Sequence, residues 1–106
     1  MELGGNITLV GFKEINKAEL VVVKKIVGSY ARKLTDSIPD YENLSVMLKI
    51  VHKTEGSEKY ELHAKAHVKG KAIVSEVVER NLFVGLDEVL QHVVALAIKE
   101  AELSKE

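Results

Sequence analysis

Two segments of alternating apolar and polar residues, separated by a short polar stretch, occupy the middle of the chain. They are "NLSVMLKIVHK", residues 43–53, and "KYELHAKAHVK", residues 59–69, with "TEGSE" between them. Since successive side chains of a strand point to opposite faces, this alternation predicts a hairpin with one apolar and one polar face. Pairing Lys53 with Lys59 gives an apolar face made of Val46, Leu48, Ile50, His52, Tyr60, Leu62, Ala64, Ala66 and Val68. Such a face needs a second layer of structure to cover it.

Two predicted helices flank the hairpin and supply that layer. Asn16 with Glu19 three residues later is close to a capping box and starts a helix over 17–35. Its apolar residues recur at helical spacing: Leu20, Val23, Val27, Tyr30 and Leu34. The single proline, in "DSIPDYEN", ends this helix and disfavours helical geometry at Ile38. The second helix is predicted over 82–102, burying Leu82, Phe83, Leu86, Leu90, Val93 and Ala97.

Two further strands complete the predicted fold. "NITLVGF", residues 6–12, is a β-branched first strand, and residues 72–78 form a fourth strand that points Ile73, Ser75 and Val77 inward. Gly70, as the first central residue of a type II′ turn, joins Lys69 to Ala72. The order β-α-β-β-β-α predicts an α+β two-layer sandwich, a four-stranded sheet with two helices packed on one face. A right-handed crossover leaves the first two strands parallel, and residues 1–106 form one domain.

Composition removes several classes of protein. The chain has no cysteine, which excludes disulfide frameworks, thiolate zinc sites and cysteine nucleophiles. "MELGGNITLV" lacks the basic start and apolar run of a signal peptide, and no stretch reaches 18 uninterrupted apolar residues. We therefore expect a cytoplasmic protein without a membrane partner.

Sequence motifs for catalysis or metal binding are absent. His63 and His67 share a strand face with Glu61, but same-face neighbours on a strand are about 7 Å apart, too far for one tetrahedral zinc. These residues are interpreted as solvated histidines of the sheet face, and Asp87 and Glu88 as charges that complement the positive end of the second helix. The serines have no nearby base, and no phosphate-binding loop occurs. We expect no enzyme, cofactor, metal or small-molecule substrate.

Charge is unevenly distributed although the chain carries only −1 overall. Residues 13–34 hold six basic side chains against two acidic ones, a local balance of +4. Residues 49–71 hold six lysines against three glutamates, or +3, whereas 82–106 hold two lysines against five carboxylates, or −3. A polyanion would therefore have to choose a face of the molecule.

The first helix is predicted to direct four basic side chains away from its apolar stripe: Lys24, Lys25, Arg32 and Lys33. Such charges can simply keep a helix solvated, and this interpretation carries equal weight on the residues alone. The outer sheet face lacks aromatic residues, which argues against base stacking and favours contacts with a nucleic-acid backbone. Its Met47, Val51, Val74 and Val78 favour an alternative function, a homodimeric protein-interaction module that uses this face and binds no nucleic acid.

One segment resembles a known family. Residues 66–87, "AHVKGKAIVSEVVERNLFVGLD", run without a gap along the pattern of ribosome hibernation promoting factors, also called ribosome-associated inhibitors or ribosomal subunit interface proteins. The family has a glycine turn, an alternating strand with isoleucine before small residues, and an aspartate-methionine-tyrosine-alanine-alanine-isoleucine-aspartate helix start. Gly70, Ile73, Ser75 and Val77 occupy the first positions, and 81–87 replace the last motif with only Asp87 identical. "NIT" at 6–8 and "MLKI" at 47–50 agree with the family's first two strands.

The resemblance implies binding rather than catalysis. Family members inhibit translation by occupying the tRNA and mRNA channel of the small ribosomal subunit, where lysines and arginines of both helices meet rRNA phosphates. Carried over by position, the RNA-binding residues expected here are Lys24, Lys25, Arg32 and Lys33 in the first helix, with Arg80 before the second.

The second helix departs from the family pattern. Members usually continue it with several basic residues, whereas "LQHVVALAIKEAELSKE" offers Lys99 and Lys105 among three glutamates. The resemblance is to the short form of the family, so we expect neither the linker nor the C-terminal dimerisation domain of long members. Half of the basic surface that the family uses is therefore missing.

Overall fold

The computed structural model describes residues 1–4, 6–51 and 58–103. Its elements in chain order are β1 (Ile7–Val10), α1 (Lys17–Ser37), β2 (Tyr41–Val51), β3 (Lys59–Val68), β4 (Lys71–Glu79) and α2 (Leu82–Leu103). The sheet order is β1-β2-β3-β4, with β1 parallel to β2 and the other pairs antiparallel. The predicted α+β sandwich and its element order are therefore confirmed.

Helix α1 begins and ends where local chemistry requires. The Asn16 side chain accepts a hydrogen bond of 2.8 Å from the Glu19 backbone N–H, which satisfies one free donor of the first turn. Ile38, before the proline, is extended at φ −129°, and its N–H donates to the Leu34 carbonyl at 2.9 Å. Helix α2 starts similarly, because Asn81 accepts from the Val84 N–H at 3.0 Å.

The core lies between the sheet and the two helices. Helix α1 contributes Val23, Val27, Ala31 and Leu34 to it, and the sheet contributes Leu44, Val46, Leu48, Leu62, Ala64, Ala66 and Val68. Helix α2 buries more of its surface, including Leu82, Leu86, Val89, Leu90, Val93, Val94 and Ala97. Burial of one such leucine or valine contributes about 1.5–3 kcal/mol relative to its exposure. Tyr30 and Phe83, predicted as core, are only half-buried.

The predicted register of the central hairpin is wrong by two residues. Lys59 pairs with Val51 rather than with Lys53, which lies outside the described residues together with His52. A shift of two leaves every side chain on its face, so Leu48 and Leu62 still face the core. Alternation therefore predicts the faces of this hairpin but does not determine its register.

The turn between β3 and β4 also differs from the prediction. Val68 pairs with Lys71, so the central residues are Lys69 and Gly70, with φ of 52° and 78°. Positive φ at both positions fits a type I′ turn rather than a type II′ turn. The Gly70 N–H donates to the Glu42 carboxylate at 2.8 Å, and Lys69 Nζ lies 3.5 Å from Asp40. These contacts from the start of β2 favour the left-handed conformation at Lys69.

Neither described helix is both long and apolar enough to cross a membrane.

Candidate nucleic-acid interface

The face of α1 that points away from the core carries the predicted basic residues. Because Val23, Val27 and Leu34 are fully buried, residues on the opposite side of the helix are exposed. Lys25 and Arg32 lie there, seven residues or about 10 Å apart along the helix axis. The capped, well-packed helix therefore holds these two cations at a fixed spacing.

A groove of about 420 Å³ lies beside this face, between α1 and the first half of α2. It is lined by Lys25, Ile26, Ser29, Tyr30, Lys33 and Asp87. Lys25, Ser29 and Lys33 are spaced by four residues, so they follow one another along the same side of α1. The groove therefore presents two ammonium groups with a hydroxyl between them, a set of donors that suits phosphate oxygens.

The lysines of the groove form no ion pair with the carboxylates that the structure describes. In residues 1–4, 6–51 and 58–103, the ion pairs use His63, Lys69 and Lys71, and none involves Lys25 or Lys33. Asp87 is the acidic residue of the groove lining, and its carboxylate has other partners. Its Oδ1 accepts from the Tyr30 hydroxyl at 2.5 Å, and its Oδ2 accepts from Gln91 Nε2 at 3.2 Å.

The Tyr30–Asp87 hydrogen bond joins the two helices across 57 residues of sequence. Burial, and next the hydrogen bond with Asp87, raise the pKa of Tyr30, so the phenol remains a neutral donor at physiological pH. Asp87 and Glu88 lie beyond the first turn of α2, where the helix dipole has little effect, so the dipole role predicted for them is wrong. The sequence contained one signal for this contact, since a tyrosine at the edge of an apolar stripe needs a hydrogen-bond partner for its hydroxyl.

The remaining predicted residues lie apart from the groove. Lys24 is exposed and lines a separate depression of about 240 Å³ with Lys17, Leu20 and Val21. Arg80 is exposed between β4 and α2, and its backbone N–H donates to the Glu79 carboxylate at 2.8 Å. The structure thus brings together Lys25 and Lys33, with Arg32 on the same helix, and places Lys24 and Arg80 at other positions.

Helix α2 offers little positive charge. Within Leu82–Leu103 the single cation is Lys99, and Glu88 and Glu102 are exposed. Glu100 accepts from Lys71 Nζ at 2.7 Å, which ties the end of α2 to the start of β4. Of the two helices, α1 therefore carries the basic surface, as the departure of the sequence from the family pattern predicts.

The outer sheet face holds its histidines in hydrogen bonds that the sequence did not predict. His63 Nε2 lies 3.0 Å from Glu61 Oε1, and its Nδ1 lies 3.2 Å from Glu76 Oε2 on the neighbouring strand. His67 Nδ1 lies 2.8 Å from Asn43 Oδ1. Both histidines are half-buried rather than solvated, and within the described ranges no group of histidine and carboxylate side chains suits a metal ion.

Comparison with solved structures finds several proteins of the same fold, among them the following two. A ribosomal subunit interface protein from Coxiella burnetii superposes with a TM-score of 0.61 at 14% identity, over 90% of this chain and 96% of that chain. The N-terminal domain of Protein Y from Thermus thermophilus superposes with a TM-score of 0.56 at 15% identity, also over 90% and 96%. No protein-family model and no curated protein sequence matches the chain. The structural likeness confirms, at the level of fold, the resemblance seen in residues 66–87.

Proposed function

We propose that this chain is a ribosome-associated translation inhibitor, a hibernation factor that binds rRNA of the small ribosomal subunit. The observation that carries the proposal is the α1 face, where Lys25, Arg32 and Lys33 are exposed and make no ion pair with a described carboxylate. The whole chain, residues 1–106, acts as one binding domain in the cytoplasm. Its target is the channel that tRNA and mRNA occupy during translation.

The fold supports a ribosomal target. One structural neighbour is described as a ribosomal subunit interface protein, and it matches 90% of this chain. The α1 face has the composition that such a target requires, since RNA phosphates are bound by cations and hydroxyl donors without sequence readout. Binding of this kind needs no catalytic residue or cofactor, and the groove contains none of the usual nucleophile–base pairs.

Asp87 lines the groove without forming an ion pair with its lysines. A carboxylate beside two lysines would normally pair with them, and this pair would compete with a phosphate. The Tyr30 hydroxyl and the Gln91 amide take both carboxylate oxygens instead. Asp87 thereby joins the helices while Lys25 and Lys33 stay available.

Co-sedimentation with purified ribosomes over a range of salt concentrations tests the proposal. Each phosphate contact contributes about −0.7 to −0.9 to the slope of log affinity against log salt, so the three cations Lys25, Arg32 and Lys33 predict a slope of about −2 to −3. Empty small subunits should co-sediment with the protein. Small subunits that already hold tRNA and mRNA should not. A protein that stays unbound at low salt would contradict the proposal.

Charge reversal locates the binding face. Lys25→Glu with Arg32→Glu should weaken binding by more than about tenfold, since two contacts become repulsive. Lys99→Glu is the control, because it reverses one charge on the exposed side of α2 and changes the net charge by two units, as each single substitution on α1 does. Equal loss in both variants would mean that net charge, rather than the α1 face, determines binding.

A further inference from the structure

None of the described elements covers the outer face of the sheet, which is more apolar than a solvated face requires. Four large side chains on it are about half exposed: Val10 at 50%, Met47 at 46%, Val74 at 51% and Val78 at 59%. A depression of about 230 Å³ lies among them, lined in part by Val10, Met47, His63, Lys65 and Val74. Large exposed apolar clusters on a single sheet face are typical of interaction surfaces.

From the strand register we propose that this face binds a second copy of the chain, as a dimer with a two-fold axis across the strands. The axis follows the row of paired residues Val10, Met47, His63 and Glu76. The inference is independent of ribosome binding, which uses the opposite side of the molecule. The outer sheet face and the α1 face share no residues.

The residues on either side of this row are complementary to each other. On β3, Glu61 lies two residues before His63 and Lys65 lies two residues after it, so they are on opposite sides of the row. On β4, Val74 and Val78 are the corresponding neighbours of Glu76. A two-fold rotation about the row reverses the strand direction. A residue on one side of the row in one copy therefore lies opposite the residue from the other side of the row in the second copy. Lys65 of one copy therefore faces Glu61 of the other, and Val74 faces Val78, each pair occurring twice.

Each residue on the axis lies opposite the same residue of the second copy, and the side chains there are compatible with this arrangement. Val10 and Met47 would form apolar contacts with themselves across the axis. His63 is held between Glu61 and Glu76 at 3.0 and 3.2 Å, so both of its ring nitrogens have partners within its own sheet. Glu76 is on the edge strand β4 with its side chain 69% exposed, so its carboxylate can stay in solvent at the rim.

The dimensions of the face suit a dimer of moderate strength. Three strands of at least nine residues and the four-residue β1, about 4.8 Å apart and with about 3.3 Å per residue, give a projected area of roughly 500 Å². This area is of the same order as the 800 Å² or so that each partner buries in a standard interface. Two sheets that pack face to face keep their strands within about 30° of alignment, so the central Lys65–Glu61 pairs stay in register.

Sedimentation equilibrium of the purified full chain tests the dimer without ribosomes. The wild-type protein should show a monomer–dimer equilibrium with a dissociation constant below about 100 μM. Lys65→Glu should weaken it about tenfold, because glutamate would face Glu61 of the partner in both pairs. Adding Glu61→Lys should restore association, since the exchanged charges are again opposite.

Two controls make the result decisive. Lys99→Glu carries the same charge change outside the face and should leave association unchanged, and Val74→Asp should abolish association while circular dichroism shows an intact fold. A monomer at all concentrations, or a dimer insensitive to Lys65→Glu and Val74→Asp, overturns the proposal. Lys25→Glu with Arg32→Glu should leave the dimer intact, so a loss of ribosome binding and a loss of the dimer are distinguishable.

Discussion

At the scale of single residues, the hydrogen bond between Tyr30 and Asp87 determines the electrostatics of the groove. Tyr30→Phe removes the donor, and the freed carboxylate would then face Lys25 and Lys33. We expect a loss of about 1 kcal/mol of folding stability and of about 0.5–1 kcal/mol of ribosome-binding free energy. Urea unfolding and salt-dependent co-sedimentation measure the two effects.

Asp87 supplies the matched variants for that test. Asp87→Asn keeps an oxygen acceptor for the Tyr30 hydroxyl and removes the negative charge, so ribosome binding should be equal or stronger. Tyr30→Phe combined with Asp87→Asn should restore the binding that Tyr30→Phe alone loses. If the double variant binds as weakly as Tyr30→Phe, the carboxylate is not the competitor.

Tyr41 has an unsatisfied hydroxyl. Its oxygen is buried, and it has no hydrogen-bond partner among the described residues. Tyr41→Phe removes a desolvated polar group at nearly constant volume, so the free energy of unfolding near pH 7 should rise by about 0.5–1 kcal/mol. Urea unfolding measures this change, and a decrease would show that the hydroxyl has a partner.

The same residue predicts an alkaline limit of stability. Burial raises the pKa of Tyr41, so the folded state holds the phenolic proton more tightly than the unfolded chain does. This stability is fully present below the unfolded pKa of about 10 and is lost as pH rises through the higher folded pKa. The free energy of unfolding should therefore fall above about pH 10, and it should fall less in Tyr41→Phe. Identical pH profiles for the two proteins would contradict this.

At the scale of elements, a substitution in the turn between β3 and β4 should increase the folding stability. Lys69 adopts φ 52°, a conformation that asparagine tolerates better than lysine does. Lys69→Asn should stabilise the protein by about 0.5–1 kcal/mol in thermal or urea unfolding, less any contribution of the ion pair with Asp40. Gly70→Ala is the opposite control, since φ is 78° there and the open space around the residue leaves strain as the single effect. A destabilised Lys69→Asn would show that the ion pair outweighs the turn geometry.

The elements themselves were largely predictable from the sequence, because each follows from a local pattern. Helical spacing of Val23, Val27 and Leu34 predicted α1, and alternation predicted the buried faces of β2 and β3. The register of the hairpin was not predictable, since a shift of two preserves the pattern. Neither was the turn type, which involves contacts from Asp40 and Glu42 about 30 residues earlier in the chain.

The candidate site was predictable only in part, because local sequence patterns do not specify contacts between distant elements. Exposure of Lys25 and Lys33 follows from the apolar stripe of α1 and needs no tertiary information. The groove depends on how α2 packs beside α1, which a local pattern cannot specify. Tyr30 and Asp87, whose contact joins the two helices, were therefore assigned other roles from the sequence.

At the scale of the whole molecule, charge separates the two helices. Since α1 is basic and α2 within Leu82–Leu103 carries four carboxylates against Lys99, we expect a polyanion to be oriented with α1 toward it. Glu88→Lys with Glu102→Lys would change the net charge from −1 by four units to +3. Association with ribosomes should become faster at low salt, because long-range attraction increases.

The salt dependence of that variant separates steering from contact. If phosphates touch α1 alone, the number of ion contacts is unchanged and the slope of log affinity against log salt should stay at its wild-type value. Rate measurements by stopped flow at low and high salt, with equilibrium co-sedimentation at the same salts, give both quantities. A slope steeper by about 2 would show that α2 lies against RNA and that the proposed orientation is wrong. An unchanged slope with a faster association rate would place the acidic helix away from the RNA, where its carboxylates cause little repulsion.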